Sequence, residues 1–231
     1  MEHLYLILNL GSLSVPFLFS FHPKLKFYTY WKALFLAIGI TMAIYIPWDV
    51  IFTQRGIWGF NDTYFLDTRI LKLPLEEWLF FICIPYACVF THYALLHYFP
   101  NMAVSKKTAK LLGYGSMIIL FIALMLNLDK WYTLINFGYA ILLIGIALRT
   151  NIGLLQNYFL TFLVMLLPFF IVNGILTGSL IDNQVVWYND QENLGIRVAT
   201  IPIEDSVYAF TLILTNLLLT QVFQKRLVSK Q

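Results

Sequence analysis

The sequence predicts an all-α integral membrane protein of about seven transmembrane helices, built from two parallel three-helix repeats with the fourth helix as connector. Three observations carry this. The 231 residues are 60% hydrophobic, 17% aromatic and only 12% charged, against about 25% charged residues in soluble domains. Seven apolar segments approach the ~20 residues that a helix needs to cross a bilayer. An acidic motif that opens one of these segments is written again 128 positions later.

The segments run over 3–20, 30–52, 76–98, 109–127, 131–148, 155–178 and 203–223. The first lacks the basic leader and small-residue cleavage site of a signal peptide, so it is expected to be a retained helix. The second holds Pro47 and Asp49. The third opens with Pro74-Leu75-Glu76-Glu77-Trp78. Pro74 suits the first helical position, where its missing N–H goes unneeded. Glu76 and Glu77 fall in the first turn, where free N–H groups and the helix dipole favour negative charge. Further along this segment, Cys83 and Cys88 are five apart, as are His92 and His97. Neither spacing is that of a metal site, and both pairs read as structural. The fourth segment connects the halves. The sixth holds Pro168 and Val172-Asn173-Gly174, and the seventh opens with Pro202-Ile203-Glu204-Asp205. Four connections are short, whereas 53–75 and 179–202 are long and each leads into an acidic helix. Long connections in compact folds are more often functional than idle.

Charge placement orients the chain. With seven spans, one side carries Lys24, Lys26, Lys32, Lys106, Lys107, Lys110, Arg149, Lys225, Arg226 and Lys230, and no acid. The other side carries the remaining five bases and all twelve acids. The positive-inside rule puts the C-terminus in the cytoplasm and the N-terminus outside. Both long loops and both acid pairs then lie toward the non-cytoplasmic face. No basic run of the kind that grips nucleic acid is present.

The repeat is detailed. Trp58-Gly59-Phe60-Asn61 precedes the first acid pair and Val186-Trp187-Tyr188-Asn189 the second, with thirteen positions from Asn to Pro in both. The chain divides into a first repeat (1–100), a connecting helix (101–130) and a second repeat (131–231) within one membrane domain. Because four spans separate the repeats, both keep the same orientation and pack about a pseudo-two-fold axis along the membrane normal.

Such packing gathers Glu76, Glu77, Glu204 and Asp205 toward one central site. Like charges held close cannot all ionise, so some carboxyls stay anionic and one keeps its proton. That is the arrangement an acid–base pair requires. Aromatic residues surround them: Trp58, Phe60 and Trp78 near the first pair, Trp187, Tyr188 and Tyr208 near the second. Some belong to the interfacial belt of membrane proteins. Ring faces also stabilise a carbocation, by ~2 kcal/mol when dry. Asp49, Asn61, Asn173 and Asn189 are placed to orient the acids. The seventh span has no Lys, so a retinal Schiff base is excluded. There is no dinucleotide or phosphate-loop fingerprint.

The motif Pro74-Leu75-Glu76-Glu77, followed by Phe80-Phe81 and Pro85, resembles the first half of the lycopene cyclase domain family. Leu167-Pro168-Phe169, Val172-Asn173-Gly174-Ile175-Leu176-Thr177-Gly178 and Thr200-Ile201-Pro202-Ile203-Glu204-Asp205 resemble the second half. The resemblance covers residues 3 to 223 and corresponds to the fused form of these two-subunit, flavin-independent membrane cyclases. It implies a lycopene β-cyclase, closing the ψ ends of lycopene to β-ionone rings without redox change and without cofactor or metal. Glu76, Glu77, Glu204 and Asp205 would be its acid–base set. The implied substrate enters from the lipid phase of a bacterial inner membrane. An ε-ring or C50 cyclase, a homo-oligomer and an association with other carotenoid enzymes all stay open on this reading. So does a proton-coupled transporter, which intramembrane acids and parallel repeats also suit.

Overall fold

The computed structural model describes residues 3–228. Seven α-helices follow one another: α1 (Leu4–Phe19), α2 (Trp31–Gln54), α3 (Leu75–Tyr98), α4 (Lys106–Met125), α5 (Trp131–Thr150), α6 (Ile152–Leu176) and α7 (Ile203–Val228). Among the described residues, six are long and apolar enough to cross a membrane. The exception is α1, whose 16 residues reach only about 24 Å, short of the ~30 Å hydrocarbon core.

Pro74 and Pro202 sit one residue earlier than the sequence suggests. Each closes a two-residue strand, and the helix starts at the next residue, Leu75 or Ile203. The extended backbone of Pro74 (ψ 148°) belongs to that strand.

Within the first repeat α1 packs along α3, and within the second α5 packs along α7. A buried amide clips each pair. Asn9 donates to the Glu76 carbonyl (2.8 Å) and Asn136 to the Glu204 carbonyl (2.7 Å). In lipid, where apolar contact gives helices little preference for one another, such bonds select partners. The connector α4 rests on α5 and α6. It approaches α5 closely at Gly113, where a Cβ would meet the Leu148 side chain at 2.9 Å. Between the halves, α2 lies against α7 over much of its length, whereas its counterpart α6 touches α3 far less. That inequality leaves room beside α3. The main apolar core, around Leu34, Tyr86, Val89, Leu155, Tyr158 and Leu214, lies at the other end of the bundle from the long loops. His92 is buried there and bonds the Thr161 hydroxyl (2.8 Å).

The two long loops are folded alike. The first contains β1 (Trp58–Phe60) and the hairpin of β2 (Arg69–Ile70) with β3 (Leu73–Pro74). The second contains β4 (Val186–Tyr188) and the hairpin of β5 (Arg197–Val198) with β6 (Ile201–Pro202). An arginine fastens each hairpin. Arg69 pairs with Asp62 and donates to the Lys72 carbonyl (3.0 Å). Arg197 pairs with Asp190 and donates to the Thr200 carbonyl (2.7 Å). Strands β1 and β4 pair antiparallel across the halves, with Gly59 opposite Trp187. These two residues hold the same position in their repeats, so the pseudo-two-fold axis passes between them. Only glycine fits here, because a Cβ on Gly59 would lie 2.4 Å from the Trp187 ring.

Candidate active site

The two acid pairs split in the same way. Glu76 and Glu204 turn away from the centre and hold the loops. Glu76 accepts from the Leu66 backbone N–H (2.8 Å) and Glu204 from that of Leu194 (2.7 Å). Glu204 also accepts from the Thr133 hydroxyl (2.7 Å). Both are fully buried, each with its Oε2 unpartnered. Glu77 and Asp205 turn inward.

Each inward acid is met by a tyrosine from the start of a helix and by a residue near the end of α2 or α6. Asp205 accepts from the Tyr132 hydroxyl (2.6 Å), the Asn173 amide (2.8 Å) and the Tyr188 hydroxyl (2.9 Å). Three donors satisfy an anionic carboxylate. Burial, then the charge of Asp205 beside it, push the Tyr188 phenol well above its usual range, so it stays a proton-bearing donor. Glu77 accepts from the Tyr5 hydroxyl. Where Asp205 meets the amide of Asn173, Glu77 meets the carboxyl of Asp49. Asp49 Oδ1 accepts from the Trp58 indole N–H (2.7 Å), and no donor reaches its buried Oδ2. Two carboxyls in contact with no donor between them need one shared proton, because both cannot ionise at that range.

Asp49, Glu77 and Asp205 line one cavity of about 270 Å³ between α1, α3, α6, α7 and the β1–β4 ribbon. Its walls are otherwise mostly apolar or aromatic, with Trp58, Phe60, Phe80 and Tyr208 near the acids and Met165, Phe162 and Ile213 farther along. Pro168, itself exposed, is part of the wall, so the cavity opens beside α6 toward the flank of the bundle. The volume suits one end of a long apolar ligand better than the whole of it.

Of the residues singled out from the sequence, Asp49, Trp58, Phe60, Glu77, Asn173, Tyr188, Asp205 and Tyr208 meet at this cavity. Glu76 and Glu204 do not line it. Trp78 donates to the Ile70 carbonyl (3.2 Å). Asn61 accepts from Thr63 N–H, Asn189 from Gln191 N–H, and Trp187 covers Gly59 outside the cavity. Those four serve the loops. Tyr5 and Tyr132 were missed. Their signal was available: Tyr5 with Asn9, and Tyr132 with Asn136, recur at the same four-residue spacing on the two short-loop sides of the repeat.

The family model described as lycopene cyclase matches the chain twice, over residues 2–96 and 129–223. The two matches are the two halves seen in the structure. No curated protein and no solved structure matches the chain.

Proposed function

The chain belongs to the lycopene cyclase family, and we propose that it closes β-ionone rings on the ψ ends of lycopene by proton transfer alone. The observation that carries this reading is one apolar cavity lined by a carboxyl pair short of a donor, Asp49 with Glu77, and by a carboxylate with three donors, Asp205. The two environments are what a proton donor and a proton acceptor need.

Glu77, holding the proton it shares with Asp49, adds it to the less substituted carbon of the terminal double bond. The cation so formed is attacked by the neighbouring double bond, and one carbon–carbon bond closes the ring. Positive charge moves to the methyl-bearing ring carbon. Trp58, Phe60, Phe80 and Tyr208 present ring faces or edges to the cavity, and a dry cation–π contact contributes ~2 kcal/mol. Asp205 then removes the proton from the ring carbon that bears the chain, which leaves the β double bond. One proton enters and one leaves, so the product is an isomer, and the site is reset when Asp205 releases its proton and the Asp49–Glu77 pair takes one up before the next turnover. Water is kept from the cation by the apolar wall.

The positive side of the chain supports a cytoplasmic C-terminus and a site toward the outer face. Lys230, which counts in that bias, lies outside the described residues. The carotenoid would enter laterally from lipid beside α6. The test is pigment chromatography of lycopene-accumulating bacteria expressing the chain. β-Carotene with transient γ-carotene is expected. ε-Rings would overturn the assignment of the abstracted proton. Unchanged lycopene with the protein present in membranes would overturn the reaction.

A further inference from the structure

The duplication should have made two cavities, one per repeat. Matched contacts show which residues correspond. The Ile57 N–H bonds the Phe52 carbonyl (3.0 Å) as the Val185 N–H bonds the Leu176 carbonyl (2.8 Å), and Asp49 meets its acid as Asn173 does. On that register Val172, on the cavity wall, corresponds to Trp48. By the Tyr5–Tyr132 match, Ser12 on the wall corresponds to Tyr139. Phe169 corresponds to Tyr45. The twin position therefore receives larger side chains at Trp48 and Tyr139.

Those side chains fill it. Tyr45 is fully buried, with its ring 5.6 Å from that of Trp48, 5.7 Å from Tyr139 and 5.2 Å from Tyr208. Trp48 also lies 5.3 Å from Tyr208. These separations are those of close aromatic packing. The hydroxyls are bonded as well: Tyr45 donates to Thr211 (3.0 Å), and Tyr139 pairs with Thr215 (2.9 Å). A space occupied by interlocked rings, with the Tyr45 and Tyr139 hydroxyls bonded, is packed as core, and of its polar atoms the buried Trp48 indole N–H is left without a partner. The close fit of α2 on α7, against the loose fit of α6 on α3, has the same origin.

We propose that the chain has a single substrate site, its twin being closed by Trp48 and Tyr139, so that one end of the polyene is cyclised per visit and the half-cyclised product leaves to re-enter end for end. This rests on the cyclase reading above. The acid-lined cavity holds one end of the polyene, so the second ψ end stays in lipid while the first reacts. Each visit takes up one proton and returns one. Ser12 and Val172 are then the residues that keep the working site open.

The experiment is a chase in proteoliposomes holding the unaltered protein. Labelled lycopene starts the reaction, and an excess of unlabelled γ-carotene follows. Label in β-carotene should fall in proportion to the dilution. Full label in β-carotene despite the chase would overturn the single site, because the intermediate would never have left. A second arm uses Val172→Trp, compared with unaltered protein at equal membrane level. Lycopene consumption should drop at least tenfold. Consumption at the normal rate with γ-carotene as end product would mean that a second site had been silenced, which also overturns the proposal. If the unaltered protein consumes no lycopene, the cyclase reading itself falls, and the single-site inference with it.

Discussion

Adjacent residues on a helix project about 100° apart, so Glu76 and Glu77 cannot both face one cavity. The same holds for Glu204 and Asp205. This geometry separates their expected roles. Glu77→Gln removes the transferable proton while keeping the side-chain shape, and ring formation should fall by about 10²–10⁴-fold, the usual share of general acid catalysis. Asp205→Asn should fall comparably by losing the base. Glu76→Gln keeps an oxygen for the Leu66 N–H, so its rate should stay within about tenfold of normal, the cost being a loosened loop worth ~1–3 kcal/mol. Initial rates of lycopene loss at matched protein levels check all three; a Glu76→Gln rate as low as that of Glu77→Gln would refute the division of roles. Asn173→Asp is sharper. It would give Asp205 the carboxyl partner that Glu77 already has, and so turn the acceptor into a second proton-sharing pair. At least a tenfold loss is expected, recovered in part as pH rises. The duplicated acids were legible in the sequence because charge in an apolar chain is conspicuous. That the two acids of each pair diverge was legible too, from the helical angle, whereas which of them turns inward is set by the packing of the loops and of α1 and α5. Tyr5 and Tyr132 were obscured because tyrosine near a helix end is ordinary in membrane proteins.

At the scale of elements, the apolar runs located all seven helices, since length and hydropathy are strong signals. The interior of the long loops was hidden. Two-residue strands have no periodicity to read, and the clasps Arg69–Asp62 and Arg197–Asp190 emerge only when the loops are laid over one another. Neither hairpin carries the usual turn residues. Leu71 and Lys72 both adopt positive φ (51° and 71°), a conformation that favours Asn and Gly. Leu71 is also 64% exposed. Replacing the pair, Leu71→Asn with Lys72→Gly, removes left-handed strain and should stabilise the protein by about 1 kcal/mol. The bond from the Arg69 guanidinium uses only the backbone carbonyl of residue 72 and survives. Thermal unfolding in detergent should show a higher midpoint, and an unchanged or lower one would mean the turn is not strained. The matching turn has a single such residue, Ala199 at φ 54°, and its Thr200 hydroxyl is held by Thr177 and Ser179. The gain from Ala199→Gly should therefore be smaller.

For the whole molecule, duplication and topology bring the candidate site to one end of the bundle. Both helices that carry inward acids begin at the same end of the bundle, and the β1–β4 ribbon closes that end. Among the described residues all eleven acids fall on that side and nine of the fourteen bases on the other, so the orientation proposed from charge is tied to the location of the site. A cysteine placed in each of two exposed loops reads it directly. Asp182 lies in the second long loop and Lys107 at the start of α4, and both are exposed. The native Cys83 is buried and Cys88 lies against the cavity, away from bulk water, so background labelling should be low. In intact cells a membrane-impermeant maleimide should label Asp182→Cys and spare Lys107→Cys, and both should react after lysis. The reverse pattern would put the acid-bearing end in the cytoplasm and overturn the charge argument. It would leave the proposed cavity chemistry untouched, because on that proposal the protons added and removed come from carboxyls of the chain and cancel in the overall reaction.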